Sequence, residues 1–122
     1  MKVKFVFLFF LVFSVAASAQ FANTKWKAVL KPNDPVAILF SFGTDTLTLS
    51  KFDDGSFIES MFYKATNDII TIKKITGQSE CDTLVIGKYR FAKKDNSVYL
   101  TGTADECAHR LAVLDKVELE KQ

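Results

Sequence analysis

Apolar and polar residues alternate with a period of two along most of the chain after residue 24. This alternation indicates strands that bury one face, and no stretch of ten or more residues has the 3.6-residue period of an amphipathic helix. Turn signals separate the alternating runs at intervals of about eight to twelve residues, which is typical of an all-β sandwich or barrel. The pattern predicts eight strands: Lys25–Leu30, Val36–Phe42, Asp45–Phe52, Ser56–Lys64, Asp68–Ile75, Thr83–Ala92, Ser97–Gly102 and Leu111–Glu120.

Most connections between the predicted strands are short and polar, including the proline-flanked turn Lys31–Pro35. Strands joined by short connections pair antiparallel with their sequence neighbours. A meander of eight strands usually closes into a barrel, because closure removes the exposed edges. We therefore expect a single small antiparallel up-and-down barrel of about eight strands. Between the last two strands, Ala104–Arg110 is predicted to be irregular, with at most one turn of 3₁₀ helix.

Residues 1–19 differ in character from the rest of the chain. Two lysines precede the apolar run Phe5–Val15, and a small-x-small site ends at Ala19, an order typical of a cleaved secretory signal. A membrane-spanning helix is the alternative, but a span needs about 20 apolar residues and this run is shorter. The cleavage site has no cysteine for a lipid anchor. We expect a mature domain of residues 20–122 that is secreted or periplasmic and has no membrane span.

Charge is balanced outside that segment. The full chain has 16 basic and 14 acidic residues, and both excess lysines lie within residues 1–19. A neutral domain lacks the concentrated positive field that binding to nucleic acid or an anionic membrane requires. About 100 residues suffice for one compact domain with its own core. The composition therefore predicts one domain, which we expect to be monomeric and without a nucleic-acid partner.

Cys81 and Cys107 are the only two cysteines. In an oxidising compartment an even count favours a disulfide. Two alternatives use the nearby His109: Cys107 as a nucleophile beside a base, or both cysteines and the histidine as metal ligands. A zinc site would lack a fourth soft ligand, and a catalytic thiol would have to remain reduced after export. A disulfide is therefore the favoured prediction, with no metal.

Other enzymatic chemistry finds little support in the sequence. His109 is the single histidine, and no Ser/His/Asp spacing, metal-binding cluster or phosphate-binding loop is present. We therefore expect a protein that is not an enzyme and that carries no cofactor.

Several motifs distributed over nearly the whole predicted domain are similar to those of a known family. They are Trp26 on the first strand, Phe42-x-x-Asp45-x-Leu47-x-Leu49 before Asp54-Gly55, and the stretch from Cys81 through Gly87-Lys88-Tyr89 and Val98-Tyr99-Leu100 to Asp105-x-Cys107-x-x-Arg110. In these features the chain resembles small bacterial lipocalin-like proteins of the calycin type. The resemblance implies that Trp26 packs under Arg110 and closes one end of the barrel. The alternative is a core Trp26 and a solvated Arg110.

Lipocalin-like barrels usually hold small apolar ligands, so the resemblance implies a ligand site. An eight-stranded barrel is either filled by side chains or holds one small ligand, and here a pocket at one mouth is the intermediate expectation. Candidate ligand-binding residues are Phe40, Phe57, Glu59, Tyr89 and Phe91.

The sequence permits two directions for the Glu59 side chain. The alternation of Phe57–Tyr63 permits either register, so Glu59 is predicted either to face solvent or to be the one polar group inside.

A different class of function is an exported interaction or inhibitor protein with a filled core. It would bind a protein partner through the loop Gly77–Glu80, which the neighbouring Cys81 would hold in place.

Overall fold

A computed structural model describes residues 20–30 and 36–122. The predicted signal segment, residues 1–19, and the predicted turn Lys31–Pro35 lie outside the described residues. The elements are β1 (Thr24–Leu30), β2 (Val36–Phe42), β3 (Thr46–Lys51), β4 (Phe57–Thr66), β5 (Ile69–Gly77), β6 (Ile86–Lys94), β7 (Ser97–Asp105), α1 (Ala108–Leu114) and β8 (Glu118–Lys121).

The strands pair antiparallel in sequence order, and β8 pairs with β1 to close the barrel. This confirms the predicted all-β up-and-down barrel. The paired residues at the closure are Trp26 with Lys121 and Lys27 with Glu120, and the backbone N–H of Gln122 donates to the carbonyl oxygen of Lys25 at 2.9 Å. Tight turns join β4 to β5 and β6 to β7, where Asn67 and Asp95 adopt positive φ. Asn and Asp tolerate this conformation better than other residues with a side chain.

The predicted last strand, Leu111–Glu120, is wrong in its first half. The chain forms α1 there, and only Glu118–Lys121 is a strand. β7 also continues to Asp105, into the segment predicted to be irregular. Helix α1 buries Arg110 and Leu114, a spacing of four that places both on one helical face. Seven residues are too few for that period to stand out in the sequence.

Alternate residues of each strand face the barrel interior and form one apolar core. Its strand residues are Trp26, Ala28, Ile38, Phe40, Phe42, Leu47, Leu49, Met61, Tyr63, Ala65, Ile70, Ile72, Tyr89, Phe91, Val98, Leu100 and Leu119. A barrel of this size is just wide enough for such side chains to fill it. These side chains therefore pack the middle of the barrel interior and the end away from helix α1.

One end of the barrel is closed by Phe21, which precedes β1 and is fully buried. Its ring centroid lies 5.0 Å from those of Phe42 and Phe91 and 6.0 Å from that of Trp26. Aromatic pairs at these separations stabilise the fold by more than the burial of their apolar area alone. We refer to this end, defined by Phe21 and its three aromatic neighbours, as the Phe21 end.

Helix α1 lies at the opposite end, where it runs back alongside β7. The backbone N–H of Gly102 donates to the Asp115 carboxylate at 2.8 Å, just after the helix. Helix α1 thus stands where the first half of an eighth strand would lie. We call this the helix end. No helix in the described part of the chain is long and apolar enough to cross a membrane.

Candidate functional site

A cavity of about 290 Å³ opens at the helix end, between α1 and strands β1, β3 and β4. We call it the mouth cavity. Its volume is close to the lower limit of small-molecule sites, about 300 Å³. Its apolar lining residues are Leu30, Leu49, Ile58, Met61, Val113 and Leu114, and its polar ones are Glu59, Gln78, Ser79, His109 and Arg110.

Glu59 faces this cavity because it lies on the same face of β4 as the buried Met61 and Tyr63, and a β-bulge interrupts the strand just before it. Leu49 of β3 pairs with Glu59, but the next residue, Ser50, pairs with Phe57, so Ile58 is the extra residue of β4. Bulges of this kind re-aim side chains next to functional sites. Glu59 is 4% exposed, which settles its direction in favour of the interior.

Two neighbours hold the Glu59 carboxylate. The backbone N–H of Ser79 donates to Oε1 at 3.0 Å, and Nζ of Lys74 lies 3.9 Å from the same oxygen. Lys74 also donates to the carbonyl oxygen of Ser79 at 2.6 Å. These contacts fix the start of the loop after β5 against the cavity wall.

Gly77 permits this arrangement because it has no side chain. A Cβ atom there would lie 2.6 Å from Cα of Glu59, far inside van der Waals contact, and Gly77 has a φ of 147° that other residues rarely adopt. β5 can therefore approach the backbone of Glu59 only with glycine at this position.

Arg110 enters the cavity wall from α1 and forms a buried ion pair with Asp105. Its Nε donates to Oδ2 at 2.7 Å and its Nη2 to Oδ1 at 2.9 Å, a bidentate geometry. The side chains are 3% and 0% exposed, respectively. Nη2 also donates to the carbonyl oxygen of Val85 at 3.2 Å, and the Tyr89 hydroxyl donates to Oδ2 of Asp105 at 2.5 Å.

The pair keeps both groups charged. Burial opposes ionisation of Asp105, but hydrogen bonds from Arg110, Tyr89 and the N–H of Cys107 outweigh it and lower the pKa of this carboxyl below its usual value. Burial likewise disfavours the charged guanidinium, but the contacts with Asp105 raise the pKa of Arg110. Burial and then the hydrogen bond to Asp105 raise the pKa of Tyr89 far above that of free tyrosine.

A disulfide joins Cys81 to Cys107, as the sequence predicts. It ties the loop between β5 and β6 to the start of α1. The nucleophile and metal-ligand alternatives both need a free thiol and are therefore wrong. The backbone N–H of Cys107 donates to Oδ1 of Asp105 at 2.9 Å. This hydrogen bond links the disulfide to the buried ion pair.

Trp26 and Arg110, which the resemblance brings together, lie at different ends of the barrel. Trp26 packs near Phe21, and the cation near its ring is Nζ of Lys121, 5.9 Å from the centroid. The guanidinium of Arg110 is held by Asp105 at the helix end, where a carboxylate offers two hydrogen bonds that an indole face cannot. The expected stack is thus replaced by two separate contacts.

Of the five predicted ligand-binding residues, Glu59 alone lines the mouth cavity. Phe40, Tyr89 and Phe91 are buried in the packed core. Phe57, the first residue of β4, is 48% exposed. The bulge at Ile58 explains the last result, because it breaks the alternation on which the assignment of Phe57 depended.

Two buried polar groups of the cavity lining have no partner among the described residues. They are Nη1 of Arg110 and the hydroxyl group of Ser79. Leaving a buried donor without an acceptor costs about 1–3 kcal/mol. The residues that line the cavity thus combine an apolar wall with two buried polar groups that have no partner among the described residues.

A second groove, of about 470 Å³, lies on the outer wall where β1 separates from α1 and β8. Five of its nine lining residues are charged: Lys27, Asp115, Lys116, Glu118 and Glu120. A surface of this kind is readily solvated and does not need an apolar occupant. The mouth cavity is therefore the better candidate site, although it is smaller.

Within residues 20–30 and 36–122, no three His, Cys, Asp or Glu side chains are grouped so as to hold a metal ion. Compared with protein-family models, with curated proteins and with solved structures, the chain matches none of them.

Proposed function

We propose that the chain is an exported, lipocalin-like barrel that binds a small, largely apolar ligand in the mouth cavity. The observation that carries this proposal is the cavity itself, whose apolar wall surrounds the buried polar groups of Glu59, Ser79 and Arg110. Pockets that bind small molecules combine these two features. The disulfide supports export, because such bonds persist mainly in oxidising compartments.

Native mass spectrometry tests this function. The protein is isolated without refolding and then incubated with a mixture of eight-carbon alcohol, acid, amine and amide probes. The proposal predicts an ion that carries one added molecule. A bare ion at every probe concentration would contradict it.

A cavity-filling variant localises the uptake. Ile58 lines the mouth cavity, so Ile58→Trp should fill much of it and lower probe affinity on the order of tenfold or more. Phe62→Trp is the matched control, because Phe62 is exposed on the same strand and does not line the cavity. Val113→Phe fills the cavity from the helix side if the first variant folds poorly. Equal uptake by wild type and both filling variants would place the site elsewhere.

A protein-interaction function is the second candidate, and one observation favours it. Leu84, in the loop that Cys81 holds, is 77% exposed, and the neighbouring Ile86 is also exposed. Exposed apolar residues beside one another are a feature of interaction surfaces. Under this alternative, Leu84→Ser would abolish partner binding. The mouth cavity would then have no role in the function.

A further inference from the structure

The charges around the mouth cavity balance one another. Arg110 is paired with Asp105, and Glu59 with Lys74, so two cations face two anions. The Asp105 and Arg110 side chains are almost completely buried, as is the Glu59 side chain. A ligand that brought its own charge into this site would leave one charge uncompensated away from water, which is costly.

The groups without a partner define what the ligand must supply. Nη1 of Arg110 is a donor with no acceptor among the described residues, although the other guanidinium nitrogens are bound. The hydroxyl of Ser79 also lacks a partner there. A carbonyl oxygen, with its two lone pairs, is an acceptor that suits either group.

Glu59 adds a complementary requirement. The hydrogen bond and the ion pair found for its carboxylate both involve Oε1. A carboxylate has about four acceptor positions, so it retains capacity for a donor on the ligand. A carboxamide is the group that offers a carbonyl acceptor and an N–H donor together without a net charge.

We propose that the mouth cavity selects ligands with an uncharged polar end, best a primary carboxamide, attached to a short apolar chain. This inference rests on the proposed function and specifies its ligand class. The carbonyl oxygen accepts from Arg110 or Ser79, the amide N–H donates to Glu59, and the chain lies against the apolar wall. At about 30 Å³ for one small group, the volume of about 290 Å³ holds about ten non-hydrogen atoms.

Probes of equal chain length test the selectivity for charge. Isothermal titration at pH 8 compares octanamide with octanoate, which is then an anion, and octylamine, which is then a cation. We expect octanamide to bind on the order of tenfold more tightly than either charged probe. Equal or tighter binding of octanoate or octylamine would overturn the inference and leave the proposed function standing. Failure of all three to bind would overturn both.

A charge-removing variant gives an independent readout. Glu59→Gln keeps an acceptor for the N–H of Ser79 but leaves the site with one excess positive charge. The preference for octanamide over octanoate should then shrink on the order of tenfold or reverse. Glu80→Gln is the control, because it removes the same charge from an exposed position in the same loop. An unchanged preference in Glu59→Gln, or an equal change in both variants, would contradict the proposed role of Glu59.

Discussion

Replacing Asp105 with alanine should lower the free energy of unfolding by about 3–5 kcal/mol, the cost of leaving a buried charge without its partner. The Arg110 guanidinium is 3% exposed and directs two hydrogen bonds at this carboxylate. Tyr89 and the N–H of Cys107 would lose their acceptor as well. Urea unfolding at pH 7 measures the change.

The exposed pair Asp68–Arg90 provides the matched control. Its atoms approach to 3.3 Å, but its side chains are 61% and 62% exposed. Exposed pairs contribute about 0–1 kcal/mol, so Asp68→Ala should change stability little. Similar losses in Asp68→Ala and Asp105→Ala would contradict the structural role assigned to the buried pair.

Acid titration provides a second readout for Asp105. Because the folded-state pKa is lowered, the unfolded chain binds more protons as the pH falls below about 4. The contribution of Asp105 to stability is therefore present above that pH and is lost as the pH falls through the folded-state pKa. Asp105→Asn should show a shallower acid decline than wild type. Parallel declines would show that this carboxyl is not responsible.

Removing the disulfide should cost about 3 kcal/mol, given a separation of 26 residues between its cysteines. The variant Cys81→Ala with Cys107→Ala is preferred to serine. Cys107 is the N-cap of α1 and makes no side-chain cap hydrogen bond, so a serine there would add one and offset part of the loss. Thermal and urea unfolding measure the difference.

Reduction of the wild-type protein is the control for this prediction. It should reproduce the loss seen in the alanine variant, and reductant should have no further effect on that variant. We also expect weaker probe binding, because the disulfide joins the loop that carries Ser79 to the helix that carries Arg110. Unchanged stability in the alanine variant would contradict a structural role for the disulfide.

The barrel follows from the sequence because its strands alternate regularly. Runs such as Leu47 and Leu49, or Ile70 and Ile72, are buried as their period-two pattern predicts. Helix α1 does not follow, because Leu111, Val113, Val117 and Leu119 also alternate and imitate a strand. The helix is favoured by its tertiary contacts with β7, and the local pattern of apolar and polar residues does not reveal such contacts.

The mouth cavity was predictable only in part. Its location at one end of the barrel follows from the size of the core side chains, but the alternation of Phe57–Tyr63 does not show which residues face inward, because the bulge at Ile58 separates the exposed Phe57 from the buried Glu59. A bulge adds one residue to one strand, and nothing in the sequence marks where it occurs. The motif Asp105-x-Cys107-x-x-Arg110 contains both members of the buried pair, but the sequence prediction places Arg110 against Trp26 or in solvent. Phe21 lies outside any alternating strand, so alternation does not predict its role in closing the barrel.

Methyl-selective NMR during a titration with octanamide tests most directly whether the mouth cavity is the binding site. We expect saturable shifts of the methyl groups of Leu49, Met61, Val113 and Leu114, which line the cavity, with no response from Leu84 and Ile86 on the outer surface. Shifts confined to Leu84 and Ile86, or no shift at saturating octanamide, would contradict the account.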